Sequence, residues 1–336
     1  MSAKKVTVIG SGGWGTALAL VAYAAGNDVT LWSAFKQEID EIAAYGENKL
    51  LPGIVIPRDM RLSYKYEDIS DSEICIVAVP SVVIRKVVSS IKEYVNPSCI
   101  VVNVSKGLEE GSLLRLSQVI EQELPNNVVV ALSGPSHAEE VARGVPTTVV
   151  AASADMDAAK TVQATLTAQN FRIYTNPDII GVELGGTIKN VIALAAGICD
   201  GIGCGDNTKA ALMTRGINEI GYLGIKMGAK SATFAGLAGI GDLIVTCTSM
   251  HSRNRRAGIL IGQGCPPEEA VRKVGTVEGF FATKTVYELA QREGVELPIV
   301  EQCYRLLFEG ISPETAIRTL MNRPAGEENM SNDGIG

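Results

Sequence analysis

The stretch VTVIGSGGWGTALALVAYAAGNDVTLWS, from Val6 to Ser33, limits what this chain can fold into more than any other segment. A short apolar strand-like run ends in glycines, a helical segment from Thr16 to Ala25 closes near Gly26, and a second strand-like run returns with DVTLWS. Gly10, Gly12 and Gly15 fall between strand and helix with Gly-x-Gly-x-x-Gly spacing, and Ser11, Gly13 and Trp14 fill the gaps. In such a turn Gly10 permits the tight bend, Gly12 lets backbone approach a pyrophosphate, and Gly15 allows the helix to pack closely on the strand. The free N–H groups and positive dipole end of the helix then favour phosphate. A structural glycine turn is the alternative, and the strand-before, helix-after context argues against it. The acid that would hold a ribose 2′-hydroxyl at the end of the second strand is missing, and Ser33 takes its place. That removes a barrier to a 2′-phosphate, which Lys36 is placed to hold if it is not simply a solvated helix residue. The expected cofactor is NAD or NADP, with the choice open.

The rest of the first half repeats this alternation. Strands are expected at Glu73–Pro80, Cys99–Ser105, Asn127–Gly134 and Pro146–Ser153, with helices at Val82–Tyr94 and Leu113–Leu124. Continuous Val/Ile-rich strands between helices predict a buried, largely parallel sheet. After Pro177 long Ala/Leu/Ile/Gly segments take over: Val182–Cys199, Thr208–Met227, Asn254–Ile261, Thr283–Arg292 and Ile299–Phe308. The reading is a Rossmann-type α/β domain over 1–178, an all-α domain over 179–322 and a loose polar tail over 323–336. A chain of 336 residues suits two such domains.

Composition narrows the function. A net charge of −7 disfavours a general nucleic-acid or anionic-membrane surface while allowing a local basic pocket. Seven cysteines without a Cys-x-x-Cys pair, and only two histidines (His137 and His251), argue against a zinc site built from sulfur and imidazole and fit a reducing cytoplasm. Lys4 and Lys5 ahead of an apolar run and AYAAG imitate a secretory signal, but glycines interrupt the segment that should be continuous. No apolar run approaches the ~20 residues of a membrane-spanning helix.

Three later segments carry chemistry. In NVSKGLEEG, Lys106 lies just past a strand, at the carboxyl edge where doubly wound folds bind ligands. In LSGPSHAEEVARGVPTTVV, the turn Gly134–Ser136 offers backbone N–H and a hydroxyl, while His137 reads as a cap or packing group rather than an acid/base. In the third, Lys189 stands in an apolar helix, either snorkelling or buried with a lowered pKa that makes it a usable acid/base. Asn190 follows it, Asp242 and Thr246 share a helical face, and Ser252, Arg253 and Asn254 open a helix suited to phosphate.

The motifs GSGGWGTALA, SKGLE, LSGPSHAEEVARGVPT, GTIKNVIALAAGICDGIGCGDNTKAAL, GLAGIGDLIVTCTSMHSRNRRAG and VEG resemble the bacterial NAD(P)-dependent sn-glycerol-3-phosphate dehydrogenases, from about residue 4 to about residue 321. The resemblance implies a homodimer that reduces dihydroxyacetone phosphate to sn-glycerol 3-phosphate, the backbone of phospholipids, with Lys189 as catalytic residue. It places Lys106, Gly134, Ser136, Lys189, Asp242, Ser252, Arg253 and Asn254 around substrate, to which the reading of the residues adds Asn190 and Thr246. Around the cofactor it places Gly10, Ser11, Gly12, Gly13, Trp14, Gly15, Lys106, Ala138, Arg253, Thr276 and Glu278. Ala34 and Phe35 depart from the family, many of whose members carry Arg or His just after the second strand. Two rivals remain from the sequence: a two-domain dehydrogenase of 3-hydroxy acids, which needs a carboxylate clamp, and a module that holds NAD(P) without turnover.

Overall fold

A computed structural model describes residues 3–324. Eight strands form one sheet: β1 (Lys5–Ile9), β2 (Asp28–Trp32), β3 (Arg61–Ser63), β4 (Ile74–Val77), β5 (Ile100–Asn103), β6 (Val129–Ser133), β7 (Thr147–Ala152) and β8 (Phe171–Asn176). Their order is β3-β2-β1-β4-β5-β6-β7-β8. Strands β1 to β6 run parallel, the doubly wound order whose ligands lie beyond the carboxyl ends of the strands. β7 turns antiparallel to β6 and carries β8 parallel to itself.

The central strands are largely apolar because helices cover both faces. α1 (Gly13–Ala24), α5 (Ala138–Ala142) and α6 (Met156–Leu166) lie over one face, where Leu18, Val141 and Val162 meet Val8, Ile76 and Val130. α3 (Ile84–Ile91) and α4 (Leu116–Glu123) lie over the other, where Ile84, Val88 and Ile120 meet Val77 and Val101. α2 (Lys36–Tyr45) follows β2.

Some boundaries differ from the sequence reading. The first helix starts at Gly13, not Thr16, because the glycine turn supplies its opening turn. The helix expected from Leu113 starts at Leu116, since Leu113 adopts a left-handed φ of 57° and Arg115 with Gln118 forms the cap. The segment expected as one helix from Val82 begins with a 3₁₀ turn at Ser81–Val83. Strands β3 and β8 have little sequence signal: β3 has three residues, and β8 is an edge strand burying only Phe171 and Ile173 fully.

Among the described residues no strand follows Asn176. The second half is α7 (Ile179–Gly201), α8 (Asp206–Lys226), α9 (Ser231–Phe234), α10 (Asp242–Thr248), α11 (Arg253–Gly262), α12 (Pro267–Val274), α13 (Glu278–Glu293), α14 (Pro298–Phe308) and α15 (Pro313–Met321). Of the tail expected over 323–336, residues 325–336 lie outside the described residues.

α7 corrects the reading that no run reaches membrane length: its 23 residues have a window of mean hydropathy 1.5. That window is 89 % buried within the fold, so α7 is the axis of the helical half, apolar on every side because α8, α10, α11 and α13 surround it. The second stretch long and apolar enough by that measure, Ser231–Thr248, is 44 % buried and broken by a non-helical Gly239. Glycines set how closely α11 approaches α7. A Cβ on Gly197 would stand 2.1 Å from the Arg255 carbonyl oxygen, and one on Gly258 would stand 2.2 Å from that of Leu194.

Candidate active site

The carboxyl edge of the sheet meets α7, α10, α11 and α13. Lys189 projects from α7 and is only 4 % exposed, which rules out snorkelling. Its Nζ lies 2.8 Å from Asp242 Oδ1 and donates to Thr246 Oγ1 at 2.6 Å. Thr246 in turn donates to the Asp242 carbonyl one helical turn back. Lys106, just past β5, reaches the other Asp242 oxygen at 2.6 Å and donates to the Gly134 carbonyl at 3.3 Å. One buried carboxylate therefore bridges two ammonium groups, leaving the cluster one positive charge in excess.

Burial pushes the Lys189 ammonium down to about 8, with the Asp242 charge opposing. For Asp242 burial works against ionisation, but the charges of Lys106 and Lys189 outweigh it and hold the carboxyl below its usual range. Gly186 on α7 makes room for this arrangement: a Cβ there would lie 2.9 Å from Ser133 Oγ and 3.5 Å from the Lys106 stem.

Among the described residues, the buried side-chain polar atoms left without a partner are Ser133 Oγ, His137 Nε2 and Gln302 Oε1. The first two border this cluster. Buried groups of this kind are costly unless something supplies the missing bond. His137 carries no capping bond, its pKa is lowered by burial and then by the Lys189 charge, and its ring lies 5.7 Å from that of His251. The sequence reading sets His137 aside and does not single out Ser133; the strand end before Gly134 is the available signal.

Asn190 is already engaged: it donates to the Gly186 carbonyl and accepts from Asn254, whose own oxygen accepts from the Gly279 N–H at 2.8 Å. This chain of bonds ties α7, α11 and α13 together. Ser252 caps α11 through the Arg255 N–H. Arg253 is exposed at that helix start, whereas Arg255 is committed to Asp200 at 2.8 Å. Ser136 is half-buried beside Gly134, to whose carbonyl it donates.

The glycine turn has the shape of a phosphate cradle. Gly10 takes φ +117°, and a Cβ would press 2.5 Å from the Ala78 carbonyl oxygen; a Cβ on Gly15 would stand 2.0 Å from the Gly10 carbonyl oxygen. A Cβ on Gly12 meets nothing within 4 Å, so that position faces open space. No side chain caps α1, leaving its first N–H groups for an anion. These features fit a dinucleotide. Ala138 opens α5, its methyl 3.9 Å from where a Gly13 Cβ would stand. Trp14 is half-buried and Thr276 exposed. Glu278 accepts from Ser81 Oγ at 2.7 Å, just past β4, and burial raises its pKa.

Both halves match described families. Residues 5–159 match the NAD-dependent glycerol-3-phosphate dehydrogenase N-terminus and residues 178–318 its C-terminus. Glycerol-3-phosphate dehydrogenase [NAD(P)+] of Clostridium perfringens is 54 % identical over 330 residues, covering 97 % of this chain and 99 % of that protein. The Bacillus subtilis protein of the same name is 50 % identical over 326 residues, covering 95 % and 94 %. The crystal structure of glycerol-3-phosphate dehydrogenase from Coxiella burnetii superposes with a TM-score of 0.92 at 38 % identity, over 96 % of this chain and 99 % of that one. The chain belongs to the NAD-dependent glycerol-3-phosphate dehydrogenase family.

Proposed function

We propose that the chain catalyses the reversible reduction of dihydroxyacetone phosphate to sn-glycerol 3-phosphate with Lys189 as its acid/base. The observation that carries the assignment is the Lys189–Asp242–Lys106 cluster around a buried carboxylate, beside two unpartnered polar atoms, on a fold whose first strand ends in a phosphate cradle. A nicotinamide dinucleotide held there by its pyrophosphate would supply the hydride. Gly10 to Gly15 and the first N–H groups of α1 hold its pyrophosphate, with Ala138, Thr276 and Glu278 at the rim.

The remaining work falls to side chains. Arg253 and the opening N–H groups of α11 hold the substrate phosphate, and Ser252 keeps that helix start in shape. Asn190 and Asn254, hydrogen-bonded to each other, join α7 to α11 on the substrate side. The Lys189 ammonium donates its proton to the carbonyl oxygen as negative charge develops there. In the reverse direction the neutral amine takes the hydroxyl proton. Asp242 aims Lys189, Thr246 fixes its rotamer, and Lys106 adds a second positive charge near the reacting oxygen. Ser136 and the Gly134 turn line the substrate side. The organic chemistry is the cofactor's; the protein positions and polarises.

By the same reading the chain works as a homodimer in the cytoplasm and supplies the glycerol backbone of phospholipids; a scattering mass twice that of the chain checks the dimer. The first test is the loss of NADH or NADPH absorbance when dihydroxyacetone phosphate meets purified protein. Turnover of a keto acid but not of the phosphorylated ketone would overturn the substrate assignment. Lys189→Ala is expected to lower kcat by about 10²–10⁴-fold while folding is retained; near-normal turnover would remove Lys189 from the mechanism.

A further inference from the structure

The missing acid at the end of β2 is replaced in space. Glu38, in the first turn of α2, sends its carboxylate back over the end of β2 toward the glycine turn. There Oε2 accepts from Ser11 Oγ at 2.5 Å and from Ser33 Oγ at 2.7 Å. Ser11 and Ser33 are 6 % and 2 % exposed, so two buried hydroxyls pin one oxygen in the gap between the glycine turn and β2. Ser33 Oγ also accepts from the Phe35 N–H, which fixes the turn that carries Glu38 round. The other oxygen, Oε1, accepts no hydrogen bond from the described residues. In a doubly wound fold this gap receives the adenosine ribose, and a carboxylate there accepts from the 2′-hydroxyl and repels a 2′-phosphate.

Two lysines of the same neighbourhood are paired with other carboxylates, although Lys49 also feels the Glu38 charge weakly. Lys36, the residue placed by sequence to hold a 2′-phosphate, pairs with Asp40 at 2.6 Å and lies over the Tyr64 ring. Lys49 pairs with Glu41 at 2.9 Å. Ala34 and Phe35 bring no cation, and Lys65, past β3, is an exposed base nearby.

We propose that Glu38 is the ribose-binding residue of this chain and makes it select NAD(H) over NADP(H). The inference rests on the dehydrogenase reading only in requiring a nicotinamide dinucleotide at the glycine turn. Its test is therefore direct binding without substrate. NADH and NADPH are titrated separately into the protein, with dissociation constants read from nucleotide fluorescence. The wild type is expected to bind NADH at least about tenfold more tightly than NADPH, the ratio that one charge-assisted hydrogen bond to the ribose hydroxyl supports. Glu38→Gln is expected to bring the two constants within about threefold of each other, about 0.6 kcal/mol by the same conversion. Glu38→Asp, which keeps the charge, is expected to retain part of the preference.

Tighter NADPH binding by the wild type would overturn the proposal and shift 2′-phosphate recognition to Lys65. An equal loss for both nucleotides in Glu38→Gln would also overturn it, since a mere tie between Ser11 and Ser33 affects both alike. If the protein binds NADH selectively but leaves dihydroxyacetone phosphate untouched, the assignment of Glu38 stands and the substrate reading fails.

Discussion

At the residue scale, burial decides what the charged groups do. Lys189 has lost most of its water but keeps Asp242, and its pKa near 8 places both protonation states within reach of neutral solution. Ketone reduction consumes the ammonium and should decline as pH rises through about 8; alcohol oxidation needs the amine and should rise through the same limb. Initial rates measured in both directions across pH 6–10 check this. A shared direction of change would contradict the role. Glu219 on α8 is a structural counterpart. It accepts from the N–H groups of Ile299 and Val300, replacing the side-chain cap that α14 lacks, and burial raises its pKa from 4.5 to about 7. A raised carboxyl stabilises the fold fully below its unfolded value and loses that contribution as pH climbs through the folded one. Urea unfolding should therefore show stability falling between those values by up to about 3 kcal/mol, with the slope flattened in Glu219→Gln.

At the element scale, α7 and α11 form the joint on which the site depends. Gly197, Gly201, Gly258 and Gly262 remove side chains from the crossing, so each helix rests on the other's carbonyl groups. The start of α11, with Ser252, Arg253 and Asn254, is thereby held beside Asn190, the neighbour of Lys189. Gly258→Val would drive a branched side chain into the Leu194 carbonyl. It should cost about 3 kcal/mol or more and lower the melting temperature, with activity falling further than stability alone explains. A normal melting curve would show that the helices can separate freely. The sequence marks these helices by their apolar runs but hides the packing reason for their glycines, because a glycine inside a helix has the same letter whether it faces solvent or a carbonyl group.

At the scale of the whole molecule, the sheet and the helical half are joined by buried polar contacts as well as apolar ones. Glu183 on α7 accepts from Arg115 at 2.6 Å and from the Ser117 hydroxyl and N–H at the start of α4. Both charged residues are under a tenth exposed. Removing one partner leaves the other buried and unpaired, so Arg115→Ala should destabilise the protein by about 3–5 kcal/mol in denaturant unfolding. A loss below about 1 kcal/mol would mean that water enters the interface easily. Lys106 spans the same junction, standing on the sheet and ion-paired with Asp242 of the helical half. The site therefore exists only when both halves are in place.

Local pattern carried much of this protein. Glycine spacing, Val/Ile runs and the change of texture after Pro177 were enough for a parallel sheet followed by helices, since strand burial and turn geometry are written in neighbouring letters. Lys189 was legible as a lysine among Ile188, Val191 and Ile192, either snorkelling or buried, and the structure buries it. The antiparallel turn of β7, the two lysines on Asp242, the unpartnered Ser133 and His137, and Glu38 filling the place of an absent acid came only from tertiary structure. Hydrogen bonds and ion pairs act over a few ångströms of space, and the chain brings Lys106 to Asp242 across 136 residues of sequence that carry no local mark of the meeting.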